Sequence, residues 1–131
     1  MIVLDASVVV DLLLDLAPHA NRVGDIVLTQ RQLYAPHLLD AEVGQVMRRL
    51  MLSGKIRPSR ADQALSDLAD LPVQRYPHGP FMKRALALSH HVTVYDALYL
   101  VLAEATGATL VTRDKALARV VGCKATVQVL G

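Results

Sequence analysis

A chain of 131 residues and 14.2 kDa is long enough for one domain with a sizeable core and too short for two. Apolar residues make up 53% and charged residues 20%, which excludes a disordered chain. The net charge of +2 and the pI near 8.9 are compatible with a polyanionic partner but do not identify one. The single cysteine, Cys123, excludes an internal disulfide and a cysteine-based zinc cluster, so a reducing, cytoplasmic setting is the default expectation.

Neither a membrane span nor a secretion signal is predicted. The longest clean apolar run near the C-terminus, ALYLVLA, has seven residues, far fewer than the roughly 20 that a span needs. The N-terminus, MIVLDA, lacks a basic region and reaches an acid at position 5. The apolar surplus fits either a tightly packed core or an apolar face between subunits, and composition leaves both open.

Strands and helices are predicted to alternate along the chain. In chain order, the predicted elements are strand Met1–Leu4, helix Ser7–Leu14, helix Pro18–Val27, strand Leu33–Ala35, helix Asp40–Leu52, helix Pro58–Ala69, strand Leu71–Tyr76, helix Pro80–Ser89, helix Val94–Thr106, strand Thr109–Thr112, helix Asp114–Val121 and strand Ala125–Val129. This alternation over residues 1–131 predicts a single α/β domain with a mainly parallel sheet.

Local patterns support these elements. The opening IVL run has no polar alternation, which is typical of a strand buried on both faces of a parallel sheet. In the third predicted helix, apolar residues recur at helical spacing, and Gly54 stands where a C′ glycine would end the helix. Pro36 is expected to stop the weak second strand.

Two acids directly follow predicted strands. Asp5 comes after the first strand, and Asp114 follows the TLVT strand by one residue. In parallel sheets, ligands bind in the crevice beyond the carboxyl ends of the strands. Each residue could instead be the N-cap of the helix that follows it, because Asp is a favoured cap. The sequence leaves both interpretations open.

Two further acids stand in the first turns of helices. Glu42 lies beside the apolar face of its helix, although an acid near a helix N-terminus is also favoured by the helix dipole alone. Asp96 begins a helix that is apolar on nearly every side, so a buried charge there needs a partner. The segment Thr93–Asp96 also fits a capping box, which is compatible with ligand binding by the second carboxylate oxygen.

Four carboxylates gathered at one crevice would repel one another, and a bound divalent cation would offset that repulsion. Ligation by carboxylates, without His or Cys, favours a hard ion, Mg²⁺ or Mn²⁺. Such an ion orients a phosphodiester and activates water. Motifs of zinc proteases, serine hydrolases, P-loop NTPases and dinucleotide-binding proteins are absent.

The chain resembles the PIN-domain ribonucleases, and most of all the VapC toxins of toxin–antitoxin modules. The resemblance covers nearly the whole chain and rests on three segments, MIVLDASVVV, APHLLDAEVGQVMRRL and TVYDALYLVLAEATGATLVTRDKALAR. It implies a five-stranded parallel sheet flanked by helices. It also implies an acidic metal site formed by Asp5, Glu42, Asp96 and Asp114.

Further expectations follow from the same resemblance. Ser7 and Thr112 match polar positions that hydrogen-bond around the metal site. A homodimer is implied, together with a cognate antitoxin whose tail covers the site, through a basic side chain. Independently of the resemblance, Arg49 lies seven residues after Glu42, about 10 Å along the helix axis, and is a candidate contact for an RNA phosphate.

Two functional hypotheses remain from the sequence. The first is a Mg²⁺-dependent endoribonuclease that acts as a toxin. The second is a catalytically silent PIN-like domain that binds RNA or a protein partner. The complete set of four acids favours the first. A receiver domain would need an acidic pair beside the first strand and a lysine at the last strand, and neither is evident.

Overall fold

All five strands lie in one parallel sheet. The computed structural model describes residues 1–131, and its strands are β1 (Ile2–Leu4), β2 (Leu33–Pro36), β3 (Val73–Tyr76), β4 (Thr109–Thr112) and β5 (Thr126–Val129). Their order is β3-β2-β1-β4-β5, and every neighbouring pair is parallel. The predicted α/β fold with a five-stranded parallel sheet is confirmed.

Six α-helices flank this sheet. They are α1 (Ala6–Leu14), α2 (Ala20–Thr29), α3 (Leu38–Leu52), α4 (Pro58–Asp70), α5 (Met82–Leu88) and α6 (Val94–Thr106). Gly54 and Gly107 follow α3 and α6 with φ of +75° and +73°, a conformation that glycine adopts without strain. None of the six is both long and apolar enough to cross a bilayer.

Several elements differ from the prediction by one or two residues at their ends, and one differs in type. The second helix begins at Ala20 instead of Pro18. Strand β2 includes Pro36, which was expected to stop it. Proline is tolerated there because it is the last residue of the strand and pairs with Tyr76 of β3 alone. The predicted helix Asp114–Val121 is a 3₁₀ segment, Lys115–Arg119. A full α-helix needs more residues than the few between the Asp114 cap and the β-branched Val120, so a tighter turn leads the chain towards β5.

The two faces of the sheet support separate apolar layers. Ile2 and Leu4 of β1 pack with α1 to α4, whereas Val3 packs with α5 and α6. Both Val3 and Leu4 are fully buried, as expected for a central strand without polar alternation. All residues of α6 from Ala97 to Ala103 are buried, which confirms the prediction of a largely buried helix.

The order of the strands reverses beside β1. The chain passes from β1 outward through β2 to β3, then crosses back to β4 and continues to β5 on the other side. In doubly wound sheets such a switch point opens a crevice at the carboxyl ends of the strands. β1 ends directly before Asp5, and β4 ends two residues before Asp114. α1, α3 and α6 also begin at this edge of the sheet.

We expect Leu102→Ala, at a fully buried position of α6, to lower the free energy of unfolding by about 2–5 kcal/mol, because the lost apolar contacts leave a cavity. Leu28, on α2, is 86% exposed and provides the matched control. Leu28→Ala should change the stability by less than about 0.5 kcal/mol. Urea denaturation followed by circular dichroism measures both, and equal losses for the two variants would contradict the burial of α6.

Candidate active site

Asp5 is the centre of the site. Its backbone amide donates to the Val111 carbonyl at 3.1 Å, which extends the pairing of β1 and β4. Its Oδ2 accepts hydrogen bonds from Ser7 Oγ at 2.9 Å and from Thr112 Oγ1 at 2.5 Å. Asp5 occupies the N-cap position of α1 but makes no capping hydrogen bond with its side chain. The capping interpretation of Asp5 is therefore wrong.

The two hydroxyl groups also fix the loop after β4. Thr112 is fully buried, and its Oγ1 accepts from the Asp114 amide at 3.0 Å. Ser7 Oγ accepts from the Arg113 amide at 3.2 Å. Ser7 and Thr112 thus hydrogen-bond both to Asp5 and to the backbone of residues 113 and 114. They hold Asp5 and Asp114 at one end of the cleft.

Asp114 caps the 3₁₀ segment that follows it. Its Oδ1 accepts from the Ala116 amide at 2.9 Å, which confirms the capping interpretation for this residue. Its side chain is exposed, and Oδ2 accepts no hydrogen bond from the protein. The cap orients the carboxylate and leaves one oxygen for another partner.

Glu42 is held from the opposite layer of helices. Its Oε1 accepts a hydrogen bond from the Tyr99 hydroxyl at 2.6 Å, although α3 and α6 pack on different faces of the sheet. Glu42 is half-buried, and burial raises the pKa of its carboxyl. The Tyr99 hydrogen bond opposes that increase, whereas the charges of Asp5 and Asp96 add to it.

The sequence analysis did not identify Tyr99. Its ring is fully buried. Burial raises the pKa of its phenol, and the hydrogen bond to Glu42 raises that pKa further. Tyr99 follows Asp96 by three residues, on the same side of α6. A buried tyrosine needs a partner for its hydroxyl, and this was the available signal in an otherwise apolar segment.

Asp96 lies in the first turn of α6. Its backbone amide donates to Thr93 Oγ1 at 3.1 Å, which is one half of the predicted capping box. The other half, from the Thr93 amide to the Asp96 carboxylate, is not formed. Burial raises the pKa of the Asp96 carboxyl, and the charges of Asp5 and Asp114 raise it further, while Thr93 opposes them.

The acids line or surround one cleft of about 350 Å³. Asp5, Glu42 and Asp114 line it together with Ser7, Arg49 and Arg113, among others, whereas Asp96 does not. No three of the acids converge closely enough to hold one ion between them as they stand. The acids still interact, because the charge of Asp5 acts on both Glu42 and Asp96.

The donor set fits a hard divalent cation. Asp5, Glu42 and Asp114 each use one carboxylate oxygen in hydrogen bonds within the protein and leave the other oxygen without a protein partner. Carboxylate oxygens are the ligands that Mg²⁺ and Mn²⁺ prefer. A cation among them would also reduce the repulsion that contributes to the raised pKa of Glu42 and of Asp96.

Comparison with known proteins places this chain in a family. The family model of the PIN domain matches residues 2–122. Ribonuclease VapC1 from Mycobacterium tuberculosis is 43% identical over 121 residues, which cover 92% of this chain and 90% of that protein. The chain is a PIN-domain protein of the VapC ribonuclease family. Ribonuclease VapC12 from the same species is 35% identical and covers 99% of each chain.

Two solved structures share the fold of this VapC protein. The crystal structure of PAE2754 from Pyrobaculum aerophilum matches 96% of this chain and 81% of that one, with a TM-score of 0.73 and 23% identity. VapBC2 from Rickettsia felis, bound to a DNA fragment from its promoter, matches with a TM-score of 0.68 and 15% identity over the full length of both chains. Both similarities establish the fold.

We expect Asp96→Asn in metal-free buffer to be at least as stable as the wild type at neutral pH. Because the pKa of Asp96 is raised in the folded chain, the folded state binds this proton more tightly than the unfolded state. That stabilisation is fully present below the ordinary value of 3.8 and is lost as pH rises through the raised value. Asn does not titrate, so its advantage should grow with pH.

Urea denaturation between pH 4 and pH 8 in EDTA measures this difference. Asp25→Asn, at an exposed position of α2, is the matched control and should show no such growth. A purely capping role predicts the opposite, because loss of a cap destabilises by up to about 1 kcal/mol. A less stable Asp96→Asn protein at neutral pH would contradict the electrostatic coupling of the four acids.

Proposed function

We propose that this protein is a Mg²⁺- or Mn²⁺-dependent endoribonuclease that hydrolyses RNA phosphodiester bonds and acts as the toxin of a toxin–antitoxin pair. The observation that supports it most is the cleft at the switch point, where three carboxylates each keep one oxygen free. The relatives named as VapC ribonucleases support the same activity. A toxin of this kind would meet its RNA in the cytoplasm.

Asp5, Glu42, Asp96 and Asp114 would hold the cation. When bound, the cation would supply a water molecule of lowered pKa and stabilise charge on the reacting phosphate. Ser7 and Thr112 orient Asp5 and keep the adjacent loop in register with it. Tyr99 fixes one Glu42 oxygen and leaves the other directed to the site. Burial raises the pKa of Glu42, so its carboxylate could accept a proton from attacking water.

Arg49 would bind an RNA phosphate beside the acids. It lies on α3, lines the cleft and makes no hydrogen bond with its side chain inside the protein. A guanidinium in the lining of the cleft would offset the repulsion between the RNA phosphates and the acidic side chains.

We expect the purified protein to cleave structured RNA in Mg²⁺ or Mn²⁺ and to lose that activity in EDTA. Glu42→Gln should reduce the cleavage rate by at least a hundredfold, because it removes both a metal ligand and a base while conserving size. Asp25→Asn should cleave as the wild type does. Gel analysis of a labelled RNA measures the rates.

Mg²⁺ should also stabilise the wild type, by about 2.7 kcal/mol at a hundredfold excess over Kd, and Asp96→Asn should lose most of this gain.

Full cleavage in EDTA would contradict the metal site. RNA binding without cleavage under any divalent cation would instead favour the alternative, a catalytically silent PIN-like domain that binds RNA or protein.

We further propose a homodimer and inhibition by a cognate antitoxin. The surface exposes several large apolar side chains, among them Leu52, Leu86 and Val121, which fits an apolar contact between subunits. The Rickettsia felis relative was solved as VapBC2 on promoter DNA, which supports a partner protein for this chain as well.

Light scattering at micromolar concentration should therefore give twice the 14.2 kDa mass of one chain. A small protein encoded beside this one should abolish RNA cleavage when it is added in equal amount. A particle of single-chain mass would contradict the dimer. Undiminished cleavage in the presence of the neighbouring protein would contradict the antitoxin.

A further inference from the structure

A buried carboxylate, Asp11, lies one helical turn after Ser7 on α1 and is 3% exposed. Its Oδ2 is 2.8 Å from Nε of Arg113 and 3.6 Å from Nδ1 of His19. Burial raises the pKa of Asp11, and Arg113 and then His19 oppose that increase. The ion pair therefore compensates a charge that would otherwise be costly inside the protein.

Arg113 lines the same cleft as Arg49. Whereas Arg49 comes from α3, Arg113 comes from the loop after β4. Its side chain is 41% exposed and lines the cleft together with Asp5, Glu42 and Asp114. Nε lies 2.8 Å from the Asp11 carboxylate in an ion pair that lacks hydrogen-bond geometry, and neither terminal nitrogen has a hydrogen-bond partner in the protein. The guanidinium thus presents four N–H donors at the edge of the proposed metal site.

Stability alone does not account for this pair. The backbone of residue 113 is already attached to α1 by the hydrogen bond from its amide to Ser7 Oγ. A buried ion pair is weak evidence for stability, because apolar side chains of similar size often serve as well. What the pair adds is a buried anchor that keeps a long cationic side chain beside the cleft.

We propose that Arg113 binds a phosphate of the RNA substrate and that Asp11 is a positioning residue that holds its guanidinium in place. The inference rests on the proposed ribonuclease function and extends it by a second cationic contact. Arg49 has no partner and must lose side-chain freedom when RNA binds, whereas Arg113 is already anchored by its ion pair and loses less. A planar guanidinium held at Nε can present its terminal nitrogens to two phosphate oxygens.

Binding of a fluorescein-labelled RNA hairpin, measured by anisotropy in EDTA over a series of salt concentrations, tests the contact with Arg113. We expect Arg113→Met to weaken binding about tenfold and to reduce the slope of log Kd against log salt by about one. Arg48→Met makes the same change of charge on α3, outside the cleft, and should do neither. Equal behaviour of the two variants would overturn the proposal.

Asp11→Asn tests the positioning role. It removes a negative charge, so simple electrostatics predicts tighter binding of RNA. If Asp11 holds Arg113, binding should instead weaken by threefold or more, and kcat/KM for RNA cleavage should fall with it. RNA binding as tight as that of the wild type, or tighter, would show that Asp11 positions nothing that RNA uses.

The double variant Asp11→Asn/Arg113→Met completes the cycle and leaves no buried carboxylate unpaired if Arg113→Met alone fails to fold. It should bind RNA no more weakly than Arg113→Met, because Asp11 acts through Arg113. Additive losses would overturn the positioning role.

The binding measurements need no cleavage, so a wild type that binds RNA through Arg113 but never cleaves it would contradict the proposed function alone. A wild type that does not bind the hairpin would contradict both.

Discussion

The parallel pairing of β1 with β4 is the constraint on which the site depends. It places Asp5 beside Thr112, 107 residues away along the chain, and the two side chains share a hydrogen bond. The register cannot slip by one residue, because a slip would turn Leu4 and Val3 towards the wrong layers of helices. The same pairing brings the loop of residues 113 and 114 over α1. Apolar packing on both faces of the sheet therefore determines where the polar groups meet.

The site holds several carboxylates close together in partly buried positions, where both burial and mutual repulsion disfavour their charged form. Burial is the largest cause of the raised pKa values of Glu42 and Asp96, and neighbouring acids increase both. Elsewhere, an acid is paired so that it stays ionised, as where the Arg84 hydrogen bond lowers the pKa of Glu104 to about 2. Three of the four acids in the cleft region have no cation in contact and are held by hydroxyl or amide donors. That arrangement is typical of a site prepared for a ligand, at some cost in stability.

Much of this architecture was predictable from local pattern. The apolar IVL run, the helical spacing of α3 and the cap and glycine signals around α6 each reflect a short-range rule, and those elements are where they were expected. Asp5 and Asp114 could be chosen as candidates because they lie within two residues of the carboxyl ends of predicted strands. The sequence could not show which of the two caps the segment that follows it. Tertiary contacts decide that Asp114 is a cap and that Asp5 is not.

Contacts between distant elements could not be predicted in this way. Tyr99 meets Glu42 across the edge of the sheet, 57 residues away, and Asp11 meets Arg113 between a helix and a loop that only the β1–β4 pairing brings together. Neither residue type nor spacing specifies such partners. The 3₁₀ segment after β4 was misassigned as an α-helix for a related reason, because the path to β5 limits its length.

The hydrogen bond between Tyr99 and Glu42 also gives the molecule an optical reporter of its own. The chain has no tryptophan and four tyrosines, so its ultraviolet emission comes from tyrosine alone. A phenol that donates to a carboxylate emits weakly, and among the tyrosines Tyr99 is the one that donates to Glu42. Any event that draws Glu42 away from Tyr99, whether protonation or the arrival of a cation, would brighten one known ring. The buried hydroxyl that orients the site would then report its occupancy in an unlabelled protein.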